Sequence, residues 1–140
     1  MSFHGIPQRF ADRGDPYPQE CERTAAALAG ALGLPEDAWR LTYQSRFGRE
    51  EWLRPYTDKS LQEMARAGTR SVSVIAPSFV ADCLETIDEI GRELREEFEA
   101  EGGERFQRID CLNGDPALAD ALAEIVHQAI AGAGERLALS

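Results

Sequence analysis

The chain has 140 residues, of which 43% are hydrophobic and 29% are charged, a composition typical of one globular domain with a buried core. Its net charge of −10 at pH 7 argues against nucleic acid or an anionic membrane surface as the main partner. No apolar run approaches the ~20 residues of a membrane span, and no signal peptide is recognisable. The 3 cysteines are far apart and form no CxxC motif, so we expect a reducing cytoplasm and neither a disulfide framework nor a zinc knuckle.

Short apolar strands alternate with amphipathic helices from the start of the chain. Residues 2–3 predict a strand that ends at His4, for which an ordinary half-buried surface histidine is the alternative. A polar loop over 8–18, interrupted by Gly and Pro, leads to an amphipathic helix over 19–32. A second strand is expected over 39–43.

The loop after the second strand combines aromatic and basic side chains. Aromatic rings stack on a flat ligand and guanidinium groups pair with carboxylates, so this composition favours a planar ligand with acidic edges. The alternative is that Trp52 and Tyr56 only pack the loop onto the domain. The side chains concerned are Arg46, Phe47, Arg49, Trp52, Arg54 and Tyr56.

Residues 72–98 carry the pattern around which the chain is organised. A β-branched run over 72–76 predicts a buried strand, and Asp82 is expected to start a helix. Beside the apolar face of that helix, glutamates recur every four residues, and like charges at this spacing repel by ~0.2–0.5 kcal/mol per pair. Facing a cleft, such a row needs a cation or protons, but Asp82 and Glu85 also fit a capping box, so a cap on a solvated helix is the alternative. The predicted buried face carries Leu84, Ile87, Leu94 and Phe98, and the acidic row is Glu85, Glu89 and Glu93.

The remaining elements complete an alternating β-α order. We predict a helix over 57–67, a fourth strand over 106–111 and a last helix over 118–130. This order implies an α/β fold, a Rossmann-like four-stranded parallel sheet with helices on both faces. The domain is expected to span 1–131, with a tail over 132–140. The last helix is expected to bury Leu118, Leu122, Ile125, Val126 and Ala129.

Ligands of parallel sheets bind beyond the carboxyl ends of the strands, and four suggestive features of this sequence fall at that edge. They are His4, the loop over 45–56, the turn over 79–85 and Asn113. A neutral imidazole is a good ligand for Fe²⁺, and Glu85 offers a carboxylate that binds metal or accepts protons. Glu89 and Glu93 would extend it into a proton relay along the helix. Metal insertion into a porphyrin needs these parts, because a metal is held briefly, two pyrrole N–H protons are removed and a planar macrocycle is gripped.

Five motifs, in this order along the chain, resemble the ferrochelatase family, and in particular its carboxyl-terminal half. They are SFHGIP at 2–7, GDPYP at 14–18, QSRFG at 44–48, WLRPYT at 52–57 and FVADCLET at 79–86. The resemblance implies a chelatase-like fold and insertion of Fe²⁺ into protoporphyrin IX, the closing step of haem synthesis. In that family the cleft lies between two related α/β halves, so the amino-terminal half of the enzyme is the implied partner.

The resemblance also implies a role for each matching residue. His4 matches the family's active-site histidine and Glu85 its paired glutamate, so both are expected to contact the metal and to act in catalysis. Glu89 and Glu93 match an acidic row, also expected to be catalytic, on a helix that contains a π-type turn in this family. The macrocycle is expected to lie against Ser45, Arg46, Trp52 and Phe79.

Departures from the family pattern qualify these expectations. Cys83 stands where some members have histidine, which leaves the imidazole contribution to His4. No carboxyl-terminal cysteine cluster is present, so we expect no iron–sulfur cluster and treat Fe²⁺ as substrate. Membrane association is expected to be peripheral at most. The competing functions are a non-catalytic tetrapyrrole- or metal-binding module, and a cobalt or nickel chelatase acting on another tetrapyrrole.

Overall fold

The computed structural model describes the backbone of residues 1–138 and the side chains of residues 1–131. The strands are β1 (Ser2–His4), β2 (Thr42–Gln44), β3 (Ser71–Val74) and β4 (Arg105–Arg108). The α-helices are α1 (Gln8–Ala11), α2 (Tyr17–Ala31), α3 (Thr57–Arg66), α4 (Arg95–Ala100) and α5 (Pro116–Ala138), with a 3₁₀ turn at Glu36–Ala38 and a π-helix at Glu85–Leu94.

The four strands form two parallel pairs, not the single four-stranded sheet that the sequence predicted. β1 pairs with β2 so that Phe3 lies beside Tyr43, and β3 pairs with β4 so that Val72 lies beside Phe106. The two pairs touch where Ser2 N donates a hydrogen bond to Ile75 O (2.8 Å). Because β1 begins where β3 ends, the two strands overlap too little to form a ladder.

Helices cover both faces of the β1–β2 pair. Phe3 and Tyr43 point to one face, where they form a core cluster with Cys21 and Ala25 of α2. The alternate residues of these strands point to the other face and bond to α3, since Ser2 Oγ lies 2.8 Å from Thr57 Oγ1. This alternation follows from the two-residue period of a strand.

The second core cluster packs α3, the π-helix and α4 against β3 and β4. Phe98 is fully buried in this cluster, and Ile90 is nearly so. The predicted buried face of the helix was wrong in its first half, because Leu84 and Ile87 are 72% and 57% exposed. The winding of the π-helix shifts the buried face to the side chains Thr86, Ile90, Leu94 and Phe98.

The other face of the β3–β4 pair is open. Ser71 and Ser73 are exposed on it, and a groove of about 920 Å³ runs beside it. Parallel strands normally have both faces covered, so the predicted arrangement is complete only for β1 and β2. The apolar lining of the groove includes Leu28, Leu32, Trp39, Met64, Val72, Ile75 and Ile109.

Helix α5 also lacks the contacts predicted for it. The helix continues through Ala138, into the segment predicted as a tail, while residues 139–140 lie outside the described residues. Among the described residues, no helix combines the length and hydropathy needed to cross a bilayer. The expected buried face was wrong, because α5 lies away from the two cores and exposes Leu122, Ile125, Val126, Ala129 and Ile130, while Leu118 is half-buried.

Candidate active site

His4 is the last residue of β1, and a hydrogen bond to the next residue orients its ring. The Nδ1–H group donates to Gly5 O (2.6 Å), since a carbonyl oxygen only accepts, and this leaves the lone pair of Nε2 free to take a proton or a metal. The ring is half-buried, and its centroid lies 6.4 Å from that of Trp52 and 6.2 Å from that of Phe79. His4 therefore has Nε2 available, with the aromatic rings of Trp52 and Phe79 near its own ring.

Gly5 allows the strand to lie this close to its neighbours. A Cβ at this position would meet Gln44 O at 3.0 Å and Trp52 Cε3 at 3.2 Å. Gly5 N donates to the same Gln44 oxygen (2.8 Å), which fixes the end of β1 against the end of β2. The turn that carries His4 is held by this close approach.

Glu85 is the first residue of the π-helix and is half-buried. Its pKa lies below the ordinary value for a glutamate, chiefly because of hydrogen bonding from Cys83 and from the backbone of Glu85 itself, with a smaller contribution from His4 when its ring is protonated. Glu85 is therefore ionised at neutral pH beside the imidazole. Cys83, two residues earlier, is also half-buried.

Glu89 is bound firmly by the end of β2. Its carboxylate accepts hydrogen bonds from Ser45 N (2.6 Å) and Ser45 Oγ (2.5 Å), and from Gln44 Nε2 (3.2 Å). Ser45 has a φ of 64°, a left-handed conformation that costs a non-glycine residue about 1–2 kcal/mol. This conformation aims two donors at Glu89, so the predicted macrocycle contact Ser45 is engaged with the acidic row.

Glu93 lies farther along the π-helix and is exposed, with Arg92 Nη2 donating to its Oε1 (3.1 Å). It lines a polar cavity of about 200 Å³ together with Glu89 and Glu97. The sequence interpretation did not include Glu97, although the four-residue spacing of the row continues to it. Gln44 was also missed; its position at the carboxyl end of a strand was the available signal.

The aromatic loop divides its side chains between packing and exposure. Trp52 is 4% exposed and donates from Nε1 to Phe47 O (3.0 Å), so it packs the loop onto the domain. Phe47 is 74% exposed, with its ring 4.9 Å from that of Trp52. Arg46 forms two hydrogen bonds to Asp58 (2.6 and 2.8 Å), so an acidic ligand would compete with this ion pair.

The structure thus brings His4, Glu85, Phe79 and Trp52 together, and places Glu89 and Glu93 along a neighbouring cavity. Within the part of the chain that the structure describes, no three His, Cys, Asp or Glu side chains converge as a metal site.

The structure is a parallel α/β domain with an imidazole at the end of β1 and a row of carboxylates along the π-helix beside it. The family model described as Ferrochelatase matches residues 1–130, and the chain belongs to the ferrochelatase family. Membership gives the chain a metal-chelatase role in tetrapyrrole metabolism, with a porphyrin and a metal as substrates.

Proposed function

We propose that this chain supplies the carboxyl-terminal wall of a ferrochelatase that inserts Fe²⁺ into protoporphyrin IX to give protohaem. The observation that carries the proposal is the pairing of a free His4 Nε2 with an ionised Glu85 at the same edge of the domain. The imidazole is a base and the carboxylate is an anion, and metal insertion requires both.

The reaction exchanges two pyrrole protons for one Fe²⁺ ion, so charge balances when both protons leave. His4 Nε2 accepts a proton from the macrocycle, and Glu85 stabilises the incoming Fe²⁺ because its carboxylate is ionised. The exposed ring of Phe47 and the half-buried ring of Phe79 offer apolar surface to the macrocycle, while the buried ring of Trp52 packs against Phe47.

Protons leave along the acidic row in this proposal. The cavity of about 200 Å³ beside Glu89 and Glu93 has room for several waters, since each occupies ~30 Å³ in the liquid. Glu89, held by its donors from Ser45 and Gln44, fixes the inner end of this path. Glu93, which is exposed, opens it to solvent.

The second wall of the cleft would come from the amino-terminal half of the enzyme. Two apolar surfaces support this proposal: the groove beside β3 and the exposed face of α5. Each surface contains several neighbouring apolar side chains, whereas scattered single apolar residues are normal on any protein surface. A contiguous exposed apolar surface is typical of an interaction site. We place the assembled enzyme in the cytoplasm, with peripheral membrane contact at most and without an iron–sulfur cluster.

Insertion of iron or zinc into protoporphyrin, followed by absorbance, tests the proposal. We expect the 140-residue chain alone to be folded and inactive, because an open site is wet and its electrostatic interactions are weakened. Adding the amino-terminal half should restore turnover. Turnover by the chain alone would show that the second wall is not needed, and insertion of cobalt or nickel only would favour a different chelatase.

A further inference from the structure

A second polar cluster lies at the entrance of the π-helix, three residues before Glu85. Asp82 Oδ1 accepts hydrogen bonds from Arg108 Nη1 (2.6 Å) and Thr86 Oγ1 (3.0 Å). Asp82 Oδ2 accepts from Asn113 Nδ2 (2.8 Å), and the backbone N of Asp82 donates to Asn113 Oδ1 (2.8 Å). Because donors occupy both carboxylate oxygens, Asp82 is an anchoring acceptor and not a free base.

Arg108 connects strand β4 to the π-helix at two places. Its guanidinium group bridges Asp82 (2.6 Å) and Asp110 (2.5 Å), and its side chain is only 20% exposed. Its aliphatic part lies against Gly91, where an added Cβ would meet Arg108 Cδ at 3.3 Å. One side chain therefore connects the middle of the π-helix to the turn that precedes it.

Asn113 ties the loop after β4 to the turn before the π-helix. It adopts a left-handed conformation with a φ of 52°, which asparagine tolerates better than most residues. In that conformation its backbone N donates to Val80 O (2.9 Å) while its side chain bonds to Asp82 in both directions. The turn is thus fixed on both sides of Asp82.

Thr86 carries this anchoring to the catalytic carboxylate. It is almost fully buried, donates to Asp82 and accepts a hydrogen bond from Cys83 N (2.9 Å). Glu85 directly precedes Thr86 in the chain and is the first residue of the π-helix. A continuous set of hydrogen bonds therefore runs from β4 through Asp82 to Thr86, the residue next to Glu85.

We propose that Arg108 and Asn113 are positioning residues that act through Asp82 to hold the first turn of the π-helix, so that Glu85 faces His4. This inference rests on the proposed function, because it explains why Glu85 must be held in place. A catalytic group displaced by about 1 Å can lose about 10²-fold in rate. Loss of the anchor should therefore slow turnover without weakening macrocycle binding.

The test compares Arg108→Gln and Asn113→Ala with Arg23→Gln, in the assembly that shows insertion activity. Arg23 is the matched control, because it is exposed on α2, away from the π-helix, and pairs with Glu20. We expect kcat to fall about 10- to 100-fold in both test variants with the KM for porphyrin within about twofold of the parent. Amide hydrogen exchange should quicken over residues 85–94 in the test variants and stay at the parent rate in the control.

A second substitution keeps the proposal falsifiable if Arg108→Gln does not fold, since Asn113→Ala removes a different part of the same anchor. Parent-like kcat in folded test variants would overturn the proposal, as would parent-like exchange over 85–94. A parent protein without insertion activity would refute the proposed function instead. The exchange measurement would then still decide whether Arg108 and Asn113 hold the π-helix.

Discussion

The two strand pairs are alike in length and direction but differ in what covers them. The β1–β2 pair has α2 on one face and α3 with the π-helix on the other. Its polar side chains Ser2 and Gln44 form hydrogen bonds to α3 and to the π-helix, respectively. The β3–β4 pair has helices on one face only, and α5 projects with its apolar side chains exposed. The covered pair thus carries the end of the candidate site at His4, whereas the β3–β4 pair and α5 leave apolar surface that no element covers among the described residues.

The largest expected effect separates the two histidines, one in each region. His4→Ala should lower insertion activity by about 10²- to 10⁴-fold in the active assembly, because it removes the base at the end of β1. His127→Ala, on the exposed face of α5, should leave the rate near that of the parent. Absorbance assays with thermal melts check both, and near-parent activity in a folded His4→Ala protein would remove His4 from catalysis.

Two substitutions compare the contribution to stability of a buried core side chain with that of an exposed apolar side chain on α5. Phe98→Ala should lower the free energy of unfolding by about 3–5 kcal/mol, because Phe98 is 0% exposed and its removal leaves a cavity. Ile125→Ala should change it by less than about 0.5 kcal/mol, since Ile125 is 61% exposed. Urea unfolding of the chain measures both. A large loss from Ile125→Ala would mean that α5 packs on a surface in solution.

The smallest expected difference in turnover is between substitutions of two members of the acidic row, beside the β1–β2 pair. Glu85→Gln should lose most of the turnover with little change in melting temperature, whereas Glu89→Gln should slow it less. Gln also serves in a capping box, so a helix cap at Glu85 would tolerate this change. A Glu85→Gln enzyme with parent turnover would therefore remove Glu85 from catalysis.

The sequence predicted the β-α order and the strand-end position of His4, because both follow from local patterns. The spacing of residues did not predict that the helix after β3 is a π-helix over Glu85–Leu94. The family resemblance implied only a single π-type turn. Hydrophobic periodicity assumes 3.6 residues per turn, so it assigned Leu84 and Ile87 to the buried face. Winding of this kind is decided by the contacts that the helix makes.

Burial of α5 could not be predicted for a different reason. An apolar pattern shows which face of a helix is suited to burial. It does not show which surface, in the same chain or in another, covers that face. The same limit applies to Arg46 and Ser45, whose residue types fit ligand binding equally well. Only the folded chain shows Arg46 paired with Asp58 and Ser45 bonded to Glu89.

Gly5 has a consequence for how variation in this chain should be interpreted. Its hydrogen atom occupies the place where the Cβ of any other residue would lie unusually close to Gln44 O (3.0 Å) and to Trp52 Cε3 (3.2 Å), so the two strands would have to separate slightly. In a saturation mutagenesis library, position 5 should therefore tolerate as few substitutions as the neighbouring histidine. A residue with no functional group would then score as catalytic, although what selection preserves there is the distance between two strands.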